Sequence, residues 1–383
     1  MKKNRVLITG GAGFIGQHMS RLLKKSYSIF IFDNFLEQVH GENASLDPDL
    51  QGSCHLIKGC ITDKALLHKT ILDNKINIII HLAAETGTGQ SMYSANRYFQ
   101  TNAVGTANII DILVNHKTLV HKFVLASSRS IYGEGIYLCK SCGMICNPQP
   151  RSELTIKAHG WEFLCPVDSS EMIPLATSED CNPSPQSIYA SSKLAQEDIV
   201  RIGCSSAKID YCIFRFQNVY GPGQSLSNPY TGIISIFFNL IRQDKCIDIF
   251  EDGKESRDFV FVSDVCNAVE SYLSKTTPIN STINIGSGSQ TSIIELAKIM
   301  FKVFNKKENY EISGNFRLGD IRHNFSDNNR LINKLHYTPA TSLEDGIKEF
   351  INWAQSSNSK EGNLNKSLEE LKKKNLLFKI QNK

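Results

Sequence analysis

The stretch Arg5-Val6-Leu7-Ile8-Thr9-Gly10-Gly11-Ala12-Gly13-Phe14-Ile15-Gly16 decides the fold. Its first five residues form a short apolar run suited to a strand buried on both faces. From Phe14 onward the pattern is helical. Between the two, Gly10, Gly13 and Gly16 permit a tight turn and bring backbone N–H groups close to a pyrophosphate. The helix N-terminus adds its positive dipole end. A glycine pattern by itself is a weak signal, but here it has the strand–turn–helix context that a dinucleotide fingerprint requires. One strand later, Ser28–Asp33 ends on a carboxylate followed by Asn34. Asp33 is placed to accept hydrogen bonds from an adenosine ribose and to repel a 2′-phosphate, so the expected cofactor is NAD rather than NADP.

Working outward, Leu56–Lys58, Ile76–His81 and Lys122–Ala126 repeat the buried-strand pattern. Phe14–Lys25, Lys64–Asn74 and Asn96–His116 are long and periodic enough for helices. This alternation predicts an α/β fold, a Rossmann-type doubly wound parallel sheet covered by helices, spanning residues 1–220. Within it, about residues 134–185 sustain neither period and read as a Cys-containing insertion. Helical pattern returns at Ser187–Gly203, then a buried strand at Ile209–Phe216. Residues 221–355 read as a smaller mixed α/β lobe for the substrate. The polar tail, 356–383, reads as a solvated helix near Leu368–Leu377 or a partly disordered segment.

Composition bounds the function. Lys and Arg number 42 against 38 Asp and Glu, a net charge of +4, too weak to argue for nucleic acid or a membrane surface as partner. No apolar stretch approaches the roughly 20 residues that span a bilayer. The N-terminal apolar run is too short for a signal peptide, and 11 cysteines without an export signal point to reduced thiols or a metal site in a cytoplasmic protein.

Among the 12 tyrosines, only Tyr189 has a lysine four positions later, Lys193. In a helix the two leave the same face on successive turns. A phenol with a pKa of about 10 is a weak base at neutral pH, and a nearby ammonium favours its phenolate. Together with Gly10–Gly16, Asp33 and Ser127-Ser128-Arg129-Ser130-Ile131-Tyr132-Gly133, the segment Tyr189-Ala190-Ser191-Ser192-Lys193 resembles the extended short-chain dehydrogenase/reductases. More narrowly, the sequence is similar to their NAD-dependent epimerase/dehydratase family. The likeness continues through Arg215–Gly223, Arg257-Asp258-Phe259-Val260 and Gly319-Asp320-Ile321-Arg322.

The resemblance implies roles residue by residue. Tyr189 would take the proton of the sugar hydroxyl, and Ser128 would hydrogen-bond the reacting oxygen. Lys193 would lower the Tyr189 pKa and hold the nicotinamide ribose. The implied cofactor site comprises Gly10, Gly13, Phe14, Ile15, Gly16, Asp33, Asn34, Cys60, Ile61, Leu82, Ala83, Ala84, Asn102 and Gln217, with Tyr189 and Lys193. Cys60 stands where the family usually has an aspartate near the adenine. Thr86, Asn218, Arg257, Arg317 and Asp320 would join Ser128 and Tyr189 in binding a nucleotide sugar. Arg322 reads equally as a phosphate ligand or a surface charge. The family's 4,6-dehydratases carry an Asp-Glu pair immediately after the catalytic hydroxyl. Here those positions are Arg129 and Ser130, which cannot act as the carboxyl groups of an elimination.

What remains is redox at one carbon, most simply 4-epimerisation through a transient 4-keto sugar. His81–Tyr93, Ser227–Gly232 and the Cys-rich excursion resemble a subgroup acting on dTDP-L-rhamnose, which implies a dTDP-6-deoxyhexose substrate for surface polysaccharide. A 4-reductase, a UDP-uronate decarboxylase or epimerase, and a non-catalytic NAD-binding sensor or scaffold are the alternatives. Relatives commonly dimerise through helices corresponding to Asn96–His116 and Ser187–Gly203, which implies a homodimer. Finally, Cys139, Cys142 and Cys165 with Asp168, or with His159 or Cys146, could make a tetrahedral structural zinc site. The other reading is ordinary reduced thiols.

Overall fold

Seven parallel strands carry the molecule: β1 (Arg5–Thr9), β2 (Ser28–Asp33), β3 (His55–Lys58), β4 (Ile78–His81), β5 (Lys122–Ser128), β6 (Asp210–Phe216) and β7 (Ser281–Ile285). Their order is β7-β6-β5-β4-β1-β2-β3. The computed structural model describes residues 3–41, 44–226, 228, 232–317, 319–357, 373–374 and 376–379. Alternation along each strand feeds two cores. Val6 and Ile8, Ile29 and Ile31, and Ile78 and Ile80 face one side of the sheet, while Leu7, Phe30 and Ile79 face the other. The first side is covered by α1 (Phe14–Leu23) and α6 (Val262–Leu273). The second is covered by α2 (Lys64–Asp73), α3 (Gly105–Asn115) and α4 (Ile188–Ser206).

A third core lies in the smaller lobe, where α5 (Ile233–Arg242), α7 (Ile293–Phe304) and α8 (Leu343–Ser356) pack Phe237, Phe238, Leu296, Met300 and Phe350 together. The chain returns from this lobe to complete the large sheet. Ser281–Ile285 pairs with β6, and α6 packs on α1, so the first layer is not closed at residue 220 as the sequence pattern suggests.

Three expectations meet the structure differently. The helix expected over Asn96–His116 is Ala95–Phe99, a π turn at Gln100–Val104, and then α3. The widened turn seats the buried side chain of Asn102. The aperiodic insertion is built: Ile145–Cys146, Ile136–Cys139 and Met172–Leu175 form a small antiparallel sheet, with a capped helix at Glu153–His159. Its strands are too short to reveal a period. In the tail, most of the helical patch expected near Leu368–Leu377 lies outside the described residues. Leu377–Lys379 is a strand, antiparallel to Asn315–Arg317.

Candidate active site

Strand order reverses between β1 and β4, which opens a crevice at the C-terminal ends of the strands. Its floor is the glycine turn. Gly10 has φ +68, and a Cβ there would lie 2.7 Å from the Ala83 backbone nitrogen, so only glycine leaves the floor open. A cavity of ≈ 130 Å³ follows, lined by Gly10, Gly13, Asp33, Asn34, Cys60, Ile61, Leu82, Ala83 and Ala84 among others. Phe14 and Ile15 open α1 beside it. Asp33 is held rigidly: its carboxylate accepts from the Ala12 N–H at 3.0 Å and the Phe35 N–H at 2.8 Å, and His40 lies 3.5 Å away. Cys60 lines the wall and accepts a hydrogen bond from the Thr62 hydroxyl.

Asn102 is not part of that wall. Its side chain accepts from the Glu85 N–H and donates to the Glu85 carbonyl and the Ser192 hydroxyl, so it ties the loop after β4 to α4 from behind. Gln217 is the reverse case. Its amide is buried and neither polar atom has a partner, which suits a ligand-binding group. The cradle at Gly10, the fixed carboxylate and the unpartnered amide fit a dinucleotide.

Tyr189 and Lys193 leave one face of α4, and Glu197 continues that face one turn later. Glu197 makes a bidentate pair with Arg215 at 3.0 and 2.8 Å and accepts from the Ser127 hydroxyl. It thereby fixes α4 against the end of β5, where Ser128 projects. The Ser128 hydroxyl receives the Ser130 N–H at 3.2 Å and the Ser130 hydroxyl at 2.9 Å, beside the Tyr189 phenol. Burial raises the Tyr189 phenol, while Ser128 and then Arg129 favour its phenolate. Burial pulls Lys193 down to about 7, against the opposing charge of Glu197. Arg129 thus adds a second cation beside the phenol, next to the Lys193 expected from the sequence.

Arg129 is the functional candidate that sequence reasoning missed. Its Nε donates to Asn218 Oδ1 at 2.7 Å, and its Nη1 is buried with no partner. Burial and neighbouring Arg257 pull the guanidinium down to about 9, opposed by Asp320, Asp258 and Tyr189. The signal was present as a charge in the position of the dehydratase acid, read only for what it excludes. Arg257 and Arg317 stand across the same mouth, Arg317 paired to Asp320 at 3.2 Å and lying over the Phe250 ring. Thr86 is exposed on the loop after β4, and Tyr98 donates to its carbonyl at 2.7 Å. Residues 227 and 229–231 lie outside the described residues.

Arg322 is neither a phosphate ligand nor a surface charge. It is fully buried against Glu162, Glu251 and Asp252, so its charge is consumed within the protein. His159 and Cys146 do not join the thiol cluster. The four side chains that converge are those of Cys139, Cys142, Cys165 and Asp168. No helix among the described residues is long and apolar enough to cross a membrane.

Comparison with known proteins agrees with this geometry. Residues 6–286 match the family described as "NAD dependent epimerase/dehydratase family". A dTDP-L-rhamnose 4-epimerase of Burkholderia thailandensis is 39% identical over 350 residues, covering 91% of this chain and 94% of that protein. A UDP-N-acetylglucosamine 4-epimerase from Methanobrevibacter ruminantium M1, solved with UDP-N-acetylmuramic acid, superposes with a TM-score of 0.73 at 25% identity over 93% of this chain and 99% of its own. MoeE5, solved with UDP-glucuronic acid and NAD, gives 0.73 at 26% identity over 92% and 99%.

Proposed function

The chain belongs to the NAD-dependent epimerase/dehydratase family of extended short-chain dehydrogenase/reductases, and from that premise we propose that it inverts C4 of a nucleotide sugar through a transient 4-keto sugar. Bound NAD supplies the means to oxidise that carbon and to reduce it again. Tyr189 accepts the proton of the C4 hydroxyl and returns it, and Ser128 holds the oxygen in line. Lys193, one turn below, faces the cofactor ribose. Arg129, Arg257 and Arg317 give the mouth a cationic rim for the diphosphate, with Asn218 orienting Arg129. Asp33 takes the adenosine ribose.

The observation that carries the reading is that Arg129, fixed by Asn218, stands in the place of an acid next to Ser128 and beside Tyr189. Proton transfer to and from a hydroxyl is provided for; acid-assisted loss of water is not. The preferred substrate is a dTDP-6-deoxyhexose such as dTDP-L-rhamnose, supported by the kinship to the Burkholderia enzyme, and the product would feed a surface polysaccharide made from cytoplasmic precursors. A homodimer through the segments 96–116 and 187–203 is part of the proposal, supported by exposed apolar Val104, Val114 and Ile202 on those helices.

The test is a panel of dTDP-, UDP- and GDP-sugars incubated with the holoenzyme without added reductant and read by NMR. C4 inversion, fastest with a dTDP-6-deoxyhexose, is expected. A steady-state requirement for NADH or NADPH would replace the epimerase with a reductase, and release of carbon dioxide would replace it with a decarboxylase. Binding of NAD with no turnover of any sugar would leave a sensor.

A further inference from the structure

The insertion contains two turns of the same construction. In the first, the Cys139 N–H donates to the Met144 carbonyl, and the Gly143 N–H donates to the Cys139 carbonyl. In the second, the Cys165 N–H donates to the Ser170 carbonyl, and the Ser169 N–H donates to the Cys165 carbonyl. The residue in the fourth place after each leading cysteine is left-handed, with φ +76 at Gly143 and +59 at Ser169. Each leading sulfur also receives a backbone N–H at 3.4 Å, from Cys142 and Val167 respectively. Such N–H···S contacts suit a sulfur that carries negative charge.

The two turns face each other. Cys142 Sγ and Cys165 Sγ are 3.5 Å apart, and Cys139 Sγ lies 3.5 and 3.6 Å from the Asp168 carboxylate oxygens. All four donor atoms fall within 4.8 Å of one another. With Zn–S near 2.3 Å and Zn–O near 2.0–2.2 Å, a tetrahedral site has edges of roughly 3.5–3.8 Å, so the spacing is that of a coordination shell. Among the described residues these four converge in a subdomain whose buried cluster is Tyr137, Cys139, Cys165 and Met172, with Met144, Cys146 and Phe163 packed against it. A core that small gains stability from a cross-link or a metal.

We propose that Cys139, Cys142, Cys165 and Asp168 bind one structural zinc ion that joins the two turns of the insertion and steadies its contact with the substrate lobe. The second turn follows directly from the segment carrying Glu162, whose carboxylate grips Arg322 and accepts from His323 at 3.1 Å. Arg322 is two residues beyond Asp320 at the site mouth. Fixing the turns therefore fixes Glu162, and Glu162 holds Arg322 and His323, next to the loop that carries Asp320.

The full-length protein, purified without chelators from zinc-supplemented cells, is expected to contain close to one zinc per chain by elemental analysis. Titrating its thiols with a mercurial should release that zinc in step with modification. Cys142→Ser and Asp168→Ala are expected to lower zinc content, and Asp168→Cys to retain it. Zinc well below stoichiometric in the native protein overturns the proposal, as does Cys142→Ser that keeps a full equivalent. If the variants fail to fold, the native-protein titration still decides: thiols that react with no zinc released sink the site.

Discussion

At the scale of single residues, the site turns on what stabilises one phenolate. Tyr189 is buried, which holds its proton on, and the groups that draw it off are the Ser128 hydroxyl and the Arg129 guanidinium. Tyr189→Phe should therefore cut turnover by orders of magnitude while leaving NAD bound, as measured by cofactor retention on gel filtration. Arg129→Met removes a favourable charge from the phenolate, so the Tyr189 pKa rises. The acid limb of kcat/KM should move to higher pH by about one unit, the scale of one lost neighbouring charge. A variant that merely loosens the site would lower the whole profile without moving the limb. Asp33 makes a second prediction at this scale. With both its oxygens fixed by backbone N–H groups, it cannot swing aside for a 2′-phosphate. NAD(H) should bind at least about tenfold tighter than NADP(H) in a fluorescence titration, the equivalent of one lost or repulsive contact.

At the scale of elements, α4 matters most, since Tyr189, Lys193 and Glu197 share its inner face and its far end packs on α3. That contact is close: a Cβ on Gly203 would lie 2.1 Å from Ile110 Cγ2. Gly203→Ala gains about 1 kcal/mol of helix propensity but should lose about 3 kcal/mol to overpacking, a net destabilisation of about 2 kcal/mol in denaturant unfolding. Ile110→Leu removes the obstructing branch and should restore much of the loss. Elements of this kind were legible in the sequence because buried strands and one-sided helices write their periods into it; β1, β2 and the Tyr189–Lys193 face were all readable. The insertion was not, because two- to four-residue strands have no period. Nor was the π turn at Gln100–Val104, which follows from the fit of Asn102 against Glu85 and Ser192, residues distant in sequence. Arg322 misled for the same reason: its partners Glu162, Glu251 and Asp252 are known only once the insertion is folded onto the lobe.

At the scale of the whole molecule, that joint is an ionic one, and it sets how stability depends on pH. Arg151 pairs bidentately with Glu251 at 2.8 Å, Arg322 joins Glu251 and Asp252, and Glu255 is buried beside them, one oxygen without a hydrogen bond and 3.8 Å from Arg322. Burial, then the charge of Glu251, pushes the Glu255 carboxyl up to about 8, against 4.5 for an ordinary glutamate. A folded pKa above the unfolded one means that this group favours the fold while protonated. The advantage is complete below about pH 4.5 and is lost as pH rises through about 8. His81 acts in the opposite sense: burial pulls it down to about 3, so the stability tied to its neutral form is lost as pH falls from 6.5 toward that value. Glutamine mimics the protonated acid at position 255 at every pH. Glu255→Gln should therefore leave Tm nearly unchanged at pH 5 and raise stability by about 2 kcal/mol at pH 8.5. An equal shift of Tm at both pH values would mean that Glu255 acts through packing, and a loss at pH 8.5 would mean that its carboxylate is a needed partner of Arg322 rather than a buried cost.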